Sequence, residues 1–212
     1  MRRAAAAILL GLILGVLAAP GWVAADPWYV PTLRRVVAEP VYRTQRDGSR
    51  HQGSNCGPAV MGMIFDAYGI NLSNLDLRQL THTYQGTWPG RGGTALHHMA
   101  HVAEDYGLTV HGLYDEPDQF HRWTVDEVRD QVDRGRWVIP LVRYGMLPGH
   151  ETSGVRTGHY ILLYAIRGDG FVYHDPAFNP VEQGPARWIP RAQLDAAMNP
   201  VLVPRQAMAV GN

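Results

Sequence analysis

Hydrophobic positions along this chain keep different periods in its two halves. An apolar run from Ala4 to about Ala19 comes first, and residues 26–50 are then irregular and rich in Pro and Arg. Within them Val41 and Tyr42, after Pro40, predict a short edge strand leading to Gln45. Val60, Met61, Met63, Ile64, Ala67 and Tyr68 then fall on one broad face of a 3.6-residue period, opened by Gly57-Pro58 and stopped by Gly69. Residues 71–93 read as a loop with short helical pieces. A second helix is predicted from Thr94, as N-cap, to Tyr106, and a third from Thr124, where Glu127 completes a capping box, to near Gly135.

Beyond Gly135 the period shortens. Trp137 to Val142 predicts a strand, which Pro140 assigns to an edge or a bulge because it lacks an N–H for the ladder. Tyr160 to Ile166 is a continuous apolar run, as a central strand requires. Phe171-Val172-Tyr173 folds back on it across the turn Arg167-Gly168-Asp169-Gly170. A last short helix spans Pro190 to Met198. Helices first and antiparallel strands later give an α+β fold.

At 212 residues, with 46% hydrophobic and 18% charged positions, the composition is that of one globular domain. The first 25 residues have the features of a secretory signal peptide: Arg2 and Arg3, the apolar run, then the small-residue site Val23-Ala24-Ala25 before Asp26. An uncleaved anchor is the alternative; the cleavage pattern favours export, with no stable membrane insertion after cleavage. The expected division is therefore a signal peptide at 1–25, an irregular segment at 26–40, one domain at 41–200 and a tail at 201–212. Without the leader, 17 basic residues face 19 acidic ones, and all of the basic residues are Arg. A near-neutral body offers no basis for a nucleic-acid or anionic-membrane partner.

Cysteine usage changes the picture. An exported protein usually pairs its cysteines, but this chain has one, Cys56. A lone thiol is either packing material or a reactive group. Cys56 stands in Gln52-Gly53-Ser54-Asn55-Cys56-Gly57-Pro58, at the mouth of the first helix, where the helix dipole and free N–H groups favour a thiolate. Gly57 is expected to let a substrate approach the backbone. His159 follows Gly158 at the start of the most apolar strand and is the best-placed base. Asp175, in Tyr173-His174-Asp175-Pro176, stands at the open end of the hairpin, where strand pairing makes it a neighbour of His159.

The run Asn55-Cys56-Gly57-Pro58-Ala59, the Gly158-His159-Tyr160 before an apolar strand and the Asp175-Pro176 after the next resemble the papain-like cysteine peptidases of the bacteriocin-processing type, in their stand-alone C-39-like branch. The resemblance runs from about Val41 to Met198. It implies a papain-like fold, a Cys56/His159/Asp175 triad and an oxyanion hole made by a Gln side chain with the Cys56 backbone N–H. It also implies a peptide or protein substrate and no cofactor. In the family's leader peptidases the Gln lies six residues before the Cys, but that position here is Arg50. Gln45, after the expected strand, is the preferred candidate and Gln52 the alternative. Two rival functions use the same residues: a catalytically silent binding module, and a cell-wall peptide hydrolase or transpeptidase. Enzymes of the last kind usually carry Cys-Ser-Gly where this chain has Cys56-Gly57-Pro58.

His97, His98 and His101 invite a metal, but no Glu follows His97 as in a zincin and no further ligand is evident, so no metal site is expected. Residues 86–93 fit either a rim over the cleft or a plain linker. Trp88, Trp123 and Trp188 are candidates for a substrate groove or for the core.

Overall fold

The computed structural model describes residues 39–87 and 92–211. The expected signal peptide, most of the irregular segment, and Trp88 with the rest of residues 88–91 lie outside the described residues. Among those described, no helix is long and apolar enough to cross a membrane.

The helices are α1 (Cys56–Ala67), α2 (Asn74–Tyr84), α3 (Leu96–Asp105), α4 (Val125–Asp133) and α5 (Arg191–Met198). The strands are β1 (Val110–His111), β2 (Tyr114–Glu116), β3 (Gln119–Phe120), β4 (Trp137–Arg143), β5 (Gly158–Tyr160), β6 (Leu162–Arg167), β7 (Gly170–His174), β8 (Arg187–Pro190) and β9 (Ala207–Val210). An antiparallel sheet runs in the order β1-β9-β4-β6-β7-β8, with β5 also paired to β4, while β2 and β3 form a separate hairpin. This is the expected α+β architecture.

Both faces of the sheet are covered, which explains why its strands read as continuous apolar runs. Side chains alternate across a strand, so Trp137 and Ile139 of β4 face α1–α3, whereas Val138 and Val142 face α4 and α5. Likewise Met208 and Val210 of β9 enter the first core, and Ala207 and Ala209 the second. The segment expected to be a tail thus supplies an internal strand, and the folded unit continues past residue 200.

Pro140 proves compatible with a central strand. Leu141 N donates to Gln206 O on the β9 side. Alternation turns the missing N–H of Pro140 toward the other neighbour, where the expected single strand from Tyr160 to Ile166 is interrupted at Ile161 between β5 and β6.

Helix α2 replaces the expected loop. Ser73 and Asp76 form a reciprocal capping box at its start, but several of its buried positions are Asn74, Arg78, Thr81 and His82. A polar inward face hides a helix from any hydrophobic period. Helix α3 begins one residue later than expected: Ala95, not Thr94, is its N-cap, and the Thr94 hydroxyl instead approaches Met99 Sδ at 3.3 Å. The Thr124/Glu127 capping box is present on α4. Val41 and Tyr42 form no strand; their segment runs beside residues 175–177, with Tyr42 Oη donating to Asp175 O at 3.0 Å and Gln45 N to Pro176 O at 2.9 Å.

Candidate active site

Cys56 is the first residue of α1 and is partly exposed. The turn before it is fixed by polar side chains rather than by an ordinary cap. Asn55, 1% exposed, donates from Nδ2 to Asp47 Oδ2 at 2.9 Å and accepts at Oδ1 from Arg78 Nη1 at 3.0 Å. Arg78, fully buried on α2, also donates to Ser54 O and, at 2.5 Å, to Gly92 O. The polar face of α2 therefore holds the nucleophile's turn. Gly57 is buried against α3, and a Cβ added there would stand 2.1 Å from Thr94 Oγ1 and 2.8 Å from Met99 Sδ. Its smallness serves helix packing, not the substrate approach expected from sequence.

His159 lies on β5 beside β4, paired with Val142. The β6–β7 hairpin, closed at Gly168 with φ +63°, returns the chain so that Leu162 faces His174. Asp175 follows directly. His159 Nε2 donates to Asp175 Oδ1 at 2.8 Å, and its ring stands beside the Cys56 thiol at the same cleft. With Nε2 engaged, Nδ1 is the nitrogen left for sulfur. Asp175 is fully buried; its Oδ1 also accepts Ala177 N at 2.9 Å and its Oδ2 accepts His150 Nε2 at 2.7 Å.

These contacts set the charges. Burial works against the Cys56 thiolate, but the adjacent His159 ring and its charge, with the N–H groups of Tyr160 and Gly57, outweigh it and hold the thiol below its usual 9.0. Burial would also lower His159; the charge and hydrogen bond of Asp175, reinforced by Cys56, push it up to about 10. Asp175 lies well below the usual carboxylate range because His159 and His150 overcome its desolvation. The arrangement favours a thiolate–imidazolium pair backed by a carboxylate.

A cleft of about 430 Å³ opens over Cys56 and His159, lined also by Gln45, Ser54, Tyr144 and Thr157. The buried Gln45 side chain is held by Nε2 donating to Gln52 O at 2.8 Å, which leaves its second N–H for another acceptor. Gln52 is exposed and contributes only this carbonyl to the contact. Of the residues singled out in the sequence, Cys56, His159 and Gln45 line the cleft, and Asp175 lies buried behind His159.

The chain belongs to the Peptidase_C39 like family. The family's model matches residues 39–196, which include every element that bears on the cleft. Family membership supports a cysteine peptidase. The fold is similar to that of a C39-like peptidase from Bacillus anthracis, at 14% identity, TM-score 0.54, covering 84% of this chain and 97% of that one. It is also similar to a double-glycine-motif protease from an AMS/PCAT transporter, solved with its leader peptide, at 15% identity, TM-score 0.53, covering 82% and 94%. No curated protein sequence matches the chain. These likenesses establish a papain-like peptidase fold.

Sequence reasoning missed His150, Tyr144 and Arg78. His150 follows Pro148-Gly149, a turn signal that places a side chain only once the fold is known. The Tyr144 ring stacks on His150 with centroids 4.1 Å apart and meets His159 edge-on at 5.2 Å. Of the remaining candidates, Trp123 is a core residue donating to Gly112 O, and Trp188 packs on Gly170 away from the cleft. His101 stacks on Tyr84 and pairs with Glu104; among the described residues no group of three or more His, Cys, Asp or Glu is arranged to hold a metal ion.

Proposed function

We propose that this C39-like peptidase is an exported thiol hydrolase that cleaves peptide or amide bonds with Cys56 as nucleophile, His159 as base and Asp175 as the base's orienter. The observation that carries it is the unbroken series of contacts from Cys56 through His159 to Asp175, with the sulfur end open to a cleft. The thiolate attacks the substrate carbonyl carbon, and the carbonyl electrons move onto oxygen. That oxyanion accepts hydrogen bonds from Gln45 Nε2 and the Cys56 N–H. The imidazolium gives its proton to the leaving amine as the C–N bond breaks, forming a thioester. Water, deprotonated by His159, then attacks the thioester; the acid product leaves and the thiol is restored. Export rests on the leader-like residues 1–25.

Peptide-library profiling by mass spectrometry tests this, with cell-wall peptide fragments as a second substrate set. Cleavage of extended peptides by the wild type and none by Cys56→Ala is the expected result. Cleavage or transfer confined to cell-wall fragments would redirect the substrate class, and turnover that survives Cys56→Ala would remove the thiol mechanism.

A further inference from the structure

We infer that His150 is a positioning residue of this site, a second imidazole that fixes the orienting carboxylate from behind; the inference rests on the triad proposed above. Its place is built with care. After the turn Tyr144–Met146 the chain bends at Gly149, whose φ of +85° suits glycine and whose Cβ, if present, would crowd Arg187 and Phe178 at 3.0 Å. His150 N donates to Leu147 O at 3.0 Å, and only 7% of the residue is exposed. Tyr144 stacks against the ring, and Phe178 leans on it with centroids 4.5 Å apart. Phe178 is itself covered by the Arg187 guanidinium at 3.8 Å, and Arg187 Nη2 donates to Pro148 O at 2.6 Å. An imidazole held this firmly has little freedom except to present Nε2 to Asp175.

The consequence follows from the chemistry of a carboxylate. Ionised, it only accepts hydrogen bonds, so both imidazoles present an N–H. Held through Oδ1 alone, it could turn about its side-chain axis and lose alignment with His159. The bond from His150 to Oδ2 fixes the plane of the group and keeps a desolvated charge satisfied. The titratable and charged groups around His150 are Asp175 after β7, Tyr144 before it, Glu151 beside it with Oε2 accepting Gly149 N, Arg187 of β8 through Phe178, and His159 beyond Tyr144. Among these, it is Asp175 that accepts the hydrogen bond of the His150 ring.

The test compares His150→Phe, which keeps an aromatic ring without a donor, with His150→Gln, whose amide N–H can still reach Oδ2. Three readouts are taken on the full chain: kcat and KM on the cleaved peptide, the pH dependence of Cys56 alkylation by iodoacetamide, and thermal melting. His150→Phe is expected to lower kcat about 10–100-fold, the usual effect of removing a partner that orients an active group, with KM within about twofold. Its alkylation profile should move to higher pH, and His150→Gln should restore most of both. A melting shift with kcat and the profile unchanged, or Phe and Gln variants alike in all three, would overturn the inference. Should a variant fail to fold, proton NMR of the wild type decides: two downfield imidazole N–H signals, from His150 and His159, are expected, and a single one contradicts a shared carboxylate. A wild type that cleaves no peptide but whose alkylation profile shifts in His150→Phe and returns in His150→Gln defeats the hydrolase proposal and leaves the positioning role standing.

Discussion

His159 Nε2 stands 2.8 Å from Asp175 Oδ1 although the residues are 16 positions apart, because β6 and β7 pair in register between them. The contact is a product of hairpin closure. Asp175→Asn keeps an oxygen that can accept from His159 but removes the charge that supports the imidazolium. We expect kcat to fall by roughly 10²-fold or more, the scale of acid–base assistance, with residual turnover from the remaining site. Steady-state kinetics on the cleaved peptide checks this.

The same pair links stability to pH, in opposite directions at the two ends of the scale. Asp175 is held below its ordinary 3.8, so its contribution is complete above that value and is lost as pH falls beneath it. His159 is raised from 6.5 to about 10, so its contribution is complete below 6.5 and is lost as pH rises through about 10. Thermal melting across pH should decline in both windows. Asp175→Asn should flatten the acid decline and weaken the alkaline one.

Gln45 and Gln52 are separable by one pair of variants. Gln45→Ala removes a side-chain donor from the cleft wall, and kcat should drop about 10²–10³-fold, as for other oxyanion donors. Alkylation of Cys56 by iodoacetamide should change little, because that reaction develops no oxyanion. Gln52→Ala should stay within about threefold of wild type, since it leaves intact the carbonyl that holds Gln45.

Gly57→Ala tests the nucleophile's platform. The new methyl would collide with Thr94 Oγ1 and Met99 Sδ, so α1 and α3 must separate at the start of α1. Overpacking of this kind costs about 1–3 kcal/mol. We expect a lower melting temperature together with a loss of activity larger than the unfolded fraction explains. Unchanged melting would show that α3 yields freely.

Much of the fold was legible because its signals are local. The face of α1, the Thr124/Glu127 box and the β6–β7 turn each declare themselves within a few residues. Cys56, His159 and Asp175 were legible for the same reason: each sits at an end of a strongly patterned element, and the hairpin's arithmetic joins two of them. What stayed hidden depends on contacts between distant parts. Helix α2 buries Arg78 and His82 where a periodic helix would bury hydrocarbon. Residues 207–210 become a strand only because β4 offers an edge. His150 acquires meaning only when the Pro148-Gly149 bend delivers it to Asp175. Gly57 shows a subtler limit, since a glycine beside a nucleophile reads as access until α3 is packed against it.

The pH dependence of iodoacetamide alkylation tests the central claim most directly, because Cys56 is the chain's single cysteine and its labelling reports one sulfur. In the wild type the reaction should rise to its plateau with a midpoint below the thiol's ordinary 9.0; in His159→Ala, with only the Tyr160 and Gly57 N–H groups left to oppose burial, the midpoint should move to clearly higher pH. A wild-type sulfur that titrates at or above 9.0 and ignores the loss of His159 would contradict the thiolate–imidazolium pair on which the mechanism stands.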